Sequence, residues 1–255
     1  MKQNKARKIN IVIPLAGEGT PFQHAGYAFP KPIIDINGKS MIEIVAENLC
    51  PNAAYRFIFI CKKEHYLKYS LEEMFERAVG KHFEVIQLTE PTQGAACTVL
   101  TAVDYINNDD ELIIANSDQV VDIAIDDFVS FAREQKVDGA IMTFQSRHPK
   151  WSFVRLDPDN SVIEVAEKKV ISDKATVGVY YFRTGKSFVD AAFRMIEKDI
   201  RFNNDFYVSL VFNELILNGG KIKHWEIDSS QMHSMATPED FMKYMMYLMV
   251  KEIKE

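Results

Sequence analysis

The sequence predicts an α/β fold, a mixed and mainly parallel sheet flanked by helices, with an antiparallel extension in its second half. Three observations carry this. Short β-branched runs alternate with amphipathic stretches as far as Phe144. The first, third and fourth of these runs end in polar or glycine-containing segments. Beyond Phe144 the rhythm changes to short strands spaced by turn residues such as Asp157-Pro158-Asp159-Asn160.

Taken in order, Ile9 to Leu15 reads as a strand that stops at a glycine-rich segment, and Met41 to Leu49 as a helix. Arg56 to Cys61 is a second strand, His65 to Val79 a helix with its charges on one side, and Phe83 to Leu88 a third strand. Thr92 to Ile106 reads as one apolar helix behind a polar start, followed by a strand at Glu111 to Ala115 that ends at Asn116-Ser117-Asp118. Asp126 to Gln135 is helical and Gly139 to Phe144 is again a strand. This β-α-β-α order implies parallel strands joined by right-handed crossovers, so that strand ends gather on one edge, where ligands of open α/β sheets bind. The polar segments after Leu15, Leu88 and Ala115 would converge there. In the second half, Phe153 to Leu156, Val162 to Glu167 and Val177 to Phe182 read as antiparallel strands. Helices at Lys186 to Glu197 and Phe206 to Leu217 and a strand at Lys221 to Ile227 follow. No linker or repeat interrupts the chain, which reads as one domain. A nucleotide-binding half spans 9–144, and a substrate-facing half spans 145–245.

The 255 residues can bury a sizeable core without a metal or disulfide staple. A net charge of −6 argues against a nucleic-acid surface, which needs a positive excess. The basic start (Lys2, Lys5, Arg7, Lys8) reads as a solvated tail. Cys50, Cys61 and Cys97 cannot all pair and lack metal-knuckle spacing, which suits a reducing, cytoplasmic setting. No apolar signal core or membrane span is visible, and the Met242 to Met249 stretch reads as a packed terminal helix.

Five segments carry chemistry. Gly17-Glu18-Gly19-Thr20 lets backbone approach a phosphate closely, although an ordinary turn explains the same glycines. It is not a dinucleotide loop, because Phe22 stands where GxGxxG needs glycine, nor is it a Walker loop. Pro30-Lys31-Pro32 fixes the backbone in an extended form and aims Lys31, which can neutralise phosphate. Asp118, just past a strand, can take a hard cation such as Mg²⁺ (or Mn²⁺), or can simply cap a turn; the spacing does not bring Asp122 into the same site. Gln93-Gly94-Ala95-Ala96 offers small residues to a flat base and an amide to its edge, though helix packing explains the alanines equally. Glu167-Lys168 offers a hydroxyl acceptor and a phosphate cation, or a surface ion pair. No GxSxG, HExxH or Cys/His metal pattern is present, and the six histidines (24, 65, 82, 148, 224 and 233) are scattered.

In order, the segments IVIPLAGEGTPF, FPKPIIDINGKSMIE, TQGAACTVL, NSD, VAEKK, GVYYF and ATPED resemble the sugar-phosphate nucleotidyltransferases. They look most like a GT-A-like branch associated with capsular polysaccharide biosynthesis. The resemblance covers about residues 9 to 245 and implies a Rossmann-like sheet with a sugar-binding half. It implies that Leu15, Ala16, Gly17, Gly19, Thr20, Gln93, Gly94, Ala95, Asn116 and Ser117 line the nucleotide side, that Lys31 and Asp118 are catalytic, and that Asp118 holds the metal. Trp151, Ser152, Glu167, Lys168, Gly178, Asn204, Asp205 and Tyr207 would line the sugar or acceptor side. The implied partners are an NTP or nucleotide sugar and a small phosphorylated acceptor, with no nucleic acid, no membrane span and a possible homo-oligomer.

Two departures stand out. The family pattern GxG[ST]R has its arginine where this chain has Pro21, which offers neither charge nor donor. A second metal-binding aspartate that often precedes Gly-Thr-Pro is replaced by Ser234. Thr20, Lys31 and Lys168 are the candidate compensations. The leading expectation is transfer of a nucleotidyl group from an NTP to a sugar 1-phosphate, with release of pyrophosphate. The alternatives are a GT-A glycosyltransferase using a nucleotide-sugar donor, and a nucleotide-binding protein whose catalysis is impaired by Pro21.

Overall fold

Strand β1 (Ile9–Pro14) is buried along nearly its whole length, and its alternation sends Ile9, Ile11 and Ile13 into one core cluster and Val12 into another. A strand apolar on both faces requires layers on both sides, and the rest of the chain supplies them. This computed structural model describes residues 8–254. Lys2, Lys5 and Arg7 of the basic start lie outside the described residues. After β1 come α1 (Thr20–His24), β2 (Asp35–Ile36), β3 (Lys39–Ser40), α2 (Met41–Asn48), β4 (Tyr55–Lys62), α3 (Lys63–Lys68), α4 (Leu71–Val79) and β5 (Phe83–Leu88). The middle of the chain forms α5 (Ala95–Leu100), α6 (Val103–Ile106), β6 (Glu111–Ala115), β7 (Gln119–Val121), α7 (Ile125–Glu134) and β8 (Gly139–Gln145). The last part adds β9 (Ser152–Leu156), β10 (Val162–Glu167), β11 (Lys174–Phe182), α8 (Gly185–Glu197), α9 (Val208–Leu217), β12 (Ile222–Ile227), β13 (Met232–Ser234) and α10 (Pro238–Lys254).

Strands β5, β4, β1 and β6 lie side by side and parallel. Their C-terminal ends therefore share one edge, as the sequence predicts. Beyond β6, β11 runs antiparallel, β8 is antiparallel to β11, and β12 is parallel to β8. The β9–β10 hairpin joins through the pairing of Ala175 with Phe153. A bulge between Thr176 and Tyr180 makes this branching possible, because it lets one strand face β9 early and β6 later. Gly178 sits in that bulge at φ 95°, a conformation glycine adopts without the penalty of a Cβ.

Several elements differ from the sequence reading. The helix expected over His65 to Val79 breaks at Ser70, which adopts φ 49° and separates α3 from α4. The helix expected from Thr92 starts only at Ala95, after Gly94 at φ 100°, and is interrupted between α5 and α6. The helix expected from Phe206 starts at Val208, because the Phe206 N–H donates to the Gln93 carbonyl (2.9 Å) and its carbonyl accepts from Ala96 (2.9 Å). The hairpin β2–β3 was not expected, although its turn is Asn37-Gly38 with both φ positive, the dipeptide that favours such turns. Helix α10 packs through Phe241 and Tyr244, whereas Met242, Met246 and Met249 of the methionine-rich stretch face outward. Among the described residues no helix is long and apolar enough to cross a membrane.

Candidate active site

The glycine segment leaves β1 and enters α1 in a single bend. Gly19 caps the helix at φ 65°, and a side chain there would meet the Cβ of Lys31 at 3.4 Å. Pro21 stands in the first turn of α1, where a missing N–H removes no helical hydrogen bond. Phe22 is buried and meets the rings of Tyr27 and Phe241 edge-on, at 5.1 and 6.1 Å between centroids. The loop is thus anchored from beneath by an aromatic cluster. Among the described residues no hydrogen bond engages the N–H of Ala16, Gly17, Glu18 or Gly19. Four consecutive donors are left to an incoming anion.

Lys31 was expected in an extended conformation between its prolines. It instead opens a one-turn 3₁₀ helix (Lys31–Ile33), with Pro30 supplying the extended residue at ψ 143°. The turn aims its ammonium at Asp118, 87 residues on, and Nζ donates to Oδ2 at 2.6 Å. Asp118 lies between β6 and β7. Its own carbonyl accepts from the N–H of Met235 (2.7 Å), the residue after β13, and Asn116 N–H donates to the Gly178 carbonyl (3.0 Å). The β7–β13 pairing, formed by segments over 100 residues apart, therefore fixes the position of this carboxylate.

Two adjoining cavities open at this edge. A loop cavity of about 480 Å³ is lined by Leu15, Ala16, Gly17 and Gly19, by Gly94 and Ala95, by Asn116, Ser117 and Asp118, and by Lys31. A hairpin cavity of about 220 Å³ is lined by Trp151, Ser152, Glu167, Gly178 and Tyr207. Ala95, Asn116 and Asp118 belong to both walls. Asp205 faces the loop cavity, on the other side from the one the sequence suggested. Thr20, Gln93, Lys168 and Asn204 line neither. The Gln93 amide oxygen accepts from Arg201 (3.2 Å), and the Lys168 ammonium reaches the Tyr207 hydroxyl (3.3 Å) and lies over that ring. Gly94 is needed for packing: a Cβ would fall 2.5 Å from the Phe206 nitrogen. Sequence reasoning missed Glu18, Thr92 and Thr98 on the loop cavity and Gln119, Lys150 and Ser209 on the hairpin cavity. Glu18, Thr92 and Thr98 lie inside the motifs but were not singled out, whereas Gln119, Lys150 and Ser209 lie outside them and only the fold brings them in.

Glu167 is the buried charge of the hairpin cavity. Burial pushes its carboxyl above the usual carboxylate range, against the pull of hydroxyl donors from Ser152 and Ser209 (2.9 Å) and the charge of Lys168. Gly178 is favoured here by its φ of 95°; a Cβ would also press on the side-chain ends of Asn116 (2.4 Å) and Gln119 (2.6 Å), which would have to shift.

A glycine loop, a fixed lysine and an acidic residue past a strand end stand together around adjoining cavities, and comparison with known proteins names the family. The model of the nucleotidyl transferase family matches residues 11–208. The chain belongs to the nucleotidyl transferase family. A mannose-1-phosphate guanylyltransferase catalytic subunit beta from Dictyostelium discoideum is 26% identical over 178 residues, covering 68% of this chain and 49% of that protein. The bifunctional protein GlmU of Methanocaldococcus jannaschii is 25% identical over 179 residues, 68% of this chain and 40% of its own. The chain therefore spans half or less of the length of these relatives. Among solved structures, a nucleoside-diphosphate-sugar pyrophosphorylase from Vibrio cholerae RC9 superposes with a TM-score of 0.79 at 24% identity, covering 92% of this chain and 99% of that one. The inositol-1-phosphate CTP transferase of T. maritima gives 0.72 at 16% identity, with 91% and 90% covered. These likenesses establish the family's Rossmann-like, mainly parallel sheet with antiparallel strands at its side.

Proposed function

We propose that the chain joins the nucleotide of an NTP to a sugar 1-phosphate or similar small phosphate, with release of pyrophosphate. The observation that carries this is the Lys31–Asp118 pair beside the glycine loop, with Lys31 in the loop cavity and Asp118 on the wall common to both cavities. The loop cavity takes the nucleotide, with its phosphates on the free N–H groups of residues 16 to 19. The hairpin cavity takes the acceptor, with Glu167, Ser152 and Tyr207 facing its hydroxyls. An acceptor phosphate oxygen attacks the α-phosphorus, the bond to the β-phosphate oxygen breaks, and pyrophosphate leaves. The nucleophile is already anionic, so the site works by positioning and by charge, without a strong general base. Lys31 exchanges Asp118 for phosphate and offsets the charge that develops in the transition state.

Mg²⁺ or Mn²⁺ fits this donor set as an ion shared with substrate. The described residues contain no cluster of three His, Cys, Asp or Glu side chains able to hold a metal alone. Asp118 offers one carboxylate, and Mg²⁺ commonly takes one or two with the rest supplied by phosphate and water. Bound there it would neutralise phosphate charge. The sequence resemblance supports a cytoplasmic role in supplying nucleotide sugars for capsule or other surface polysaccharide.

Purified protein incubated with Mg²⁺, each NTP and a panel of sugar phosphates should release pyrophosphate with one pairing, and Asp118→Ala should abolish it. Release of nucleoside diphosphate from a nucleotide sugar, with transfer to a glycan, would replace this reading by the glycosyltransferase one. Pro21 favours a second reading, a protein that binds nucleotide without turnover. Tight calorimetric binding of an NTP with no pyrophosphate from any pairing would establish it.

A further inference from the structure

Each of the two cavities has one lysine in its wall: Lys31 in the loop cavity and Lys150 in the hairpin cavity. Lys168, the lysine that the sequence assigned to the acceptor, is in neither. Lys150 also lines a further cavity of about 210 Å³, which shares Lys150, Trp151 and Ser234 with the hairpin cavity and extends it past β13 toward α10. The wall that carries Lys150 is distinct from the wall common to the loop cavity, where Ala95, Asn116 and Asp118 stand.

The Lys150 ammonium is held in place on two sides. It donates to Asp240 Oδ1 at 2.9 Å and Oδ2 at 2.8 Å, and it lies 4.5 Å from the centroid of the Trp151 ring. Ser234 Oγ donates to the same carboxylate at 3.3 Å. An ammonium has three donors, and Asp240 takes two, so one is not committed to that carboxylate. The Lys150 side chain keeps 35% of its exposure, against 10% for Asp240, so the lysine is the more exposed member of the pair.

Resting on the nucleotidyl-transfer reading, we propose that Lys150 recognises an anionic group of the acceptor other than the phosphate that reacts. The reacting phosphate must sit beside the α-phosphorus, at the Asp118 wall, which Lys31 already serves. A cation on a separate wall of the same small cavity, opening onto further space, is placed for a second negative group on the same molecule. The acceptor class is then a phosphorylated, hydroxyl-bearing compound with a carboxylate or second phosphate, and Lys150 is a specificity-determining residue.

Calorimetric titration of the full chain with α-D-glucose 1-phosphate and α-D-glucuronic acid 1-phosphate tests this, since the two probes differ by one carboxylate. The glucuronic acid 1-phosphate should bind at least tenfold tighter. Lys150→Met should erase that preference, with affinity for glucose 1-phosphate falling less than affinity for glucuronic acid 1-phosphate. Lys150→Arg, which keeps the charge, should retain the preference, and a cooperative urea transition of the methionine variant shows that its loss is not misfolding. Equal binding of the two probes, a preference that survives Lys150→Met, equal weakening of both probes, or no binding of either would each overturn the proposal. Pyrophosphate release that is insensitive to the added carboxylate would overturn it too, while leaving nucleotidyl transfer standing.

Discussion

Lys31 and Asp118 meet at 2.6 Å although 87 residues separate them, and each retains less than a fifth of its side-chain exposure. The pair joins the 3₁₀ turn before β2 to the segment between β6 and β7, and Asp118 stands where the two cavities adjoin. Without ligand each charge is compensated by the other, so a phosphate that draws Lys31 away leaves Asp118 to be compensated by a cation.

Replacing Lys31 by methionine should lower kcat for pyrophosphate release by about 100-fold or more, the usual effect of removing one donor aimed at transition-state charge. The KM for NTP should change much less. A large rise in KM with kcat preserved, read from initial rates, would place Lys31 in ground-state binding instead.

Pro21→Arg tests the departure from the family pattern. Position 21 lies in the first turn of α1, where the new N–H needs no partner inside the helix, and the Phe22 anchor is untouched. A charge-assisted contact to phosphate contributes roughly 1.5–3 kcal/mol, so activity should rise about tenfold or more. An unchanged rate would mean that Lys31 and the loop amides already supply what the arginine does elsewhere.

Gly94→Ala should destabilise the fold. Its Cβ would meet the Phe206 backbone at 2.5 and 2.7 Å, atoms that cannot rotate away, and φ 100° is strained for any L side chain. The expected loss is about 2 kcal/mol or more, seen as a lower urea midpoint. Retention of the wild-type midpoint would show that the 205–206 segment shifts freely.

Stability should also depend on pH through Glu167, whose folded carboxyl is raised by burial. Below the unfolded value both states are protonated and the group contributes nothing. As pH rises, the unfolded state ionises first, so stability falls between the unfolded and the raised folded value and stays lower above it. Glu167→Gln should flatten that part of the urea-midpoint profile and weaken acceptor binding. An unaltered profile would count against Glu167 being the group responsible.

Hydrophobic periodicity made the strands legible, because a β-branched run such as Ile9 to Ile13 has few alternatives to a buried strand. Order and spacing of the polar segments placed those holding Gly17, Gln93 and Asp118 at one edge, whereas Lys31 was chosen for its flanking prolines. Helix ends were less legible. Phe206 looks helical, yet its backbone is committed to Gln93 and Ala96, a contact with no local signature. The same holds for Gln93, Lys168 and Lys150: sequence chose the first two by motif, and the structure places only Lys150 on a cavity wall.

The sequence by itself determined the layered sheet, the shared strand edge and the glycine, lysine and aspartate that stand there, since these follow from periods of two and 3.6 residues and from turn chemistry. The tertiary structure alone decided which side chains face which cavity. That choice depends on the β7–β13 pairing, the bulge at Gly178 and the packing of Gly94 against Phe206, contacts between segments about 60 to more than 100 residues apart whose energy comes from long-range packing rather than from any local preference.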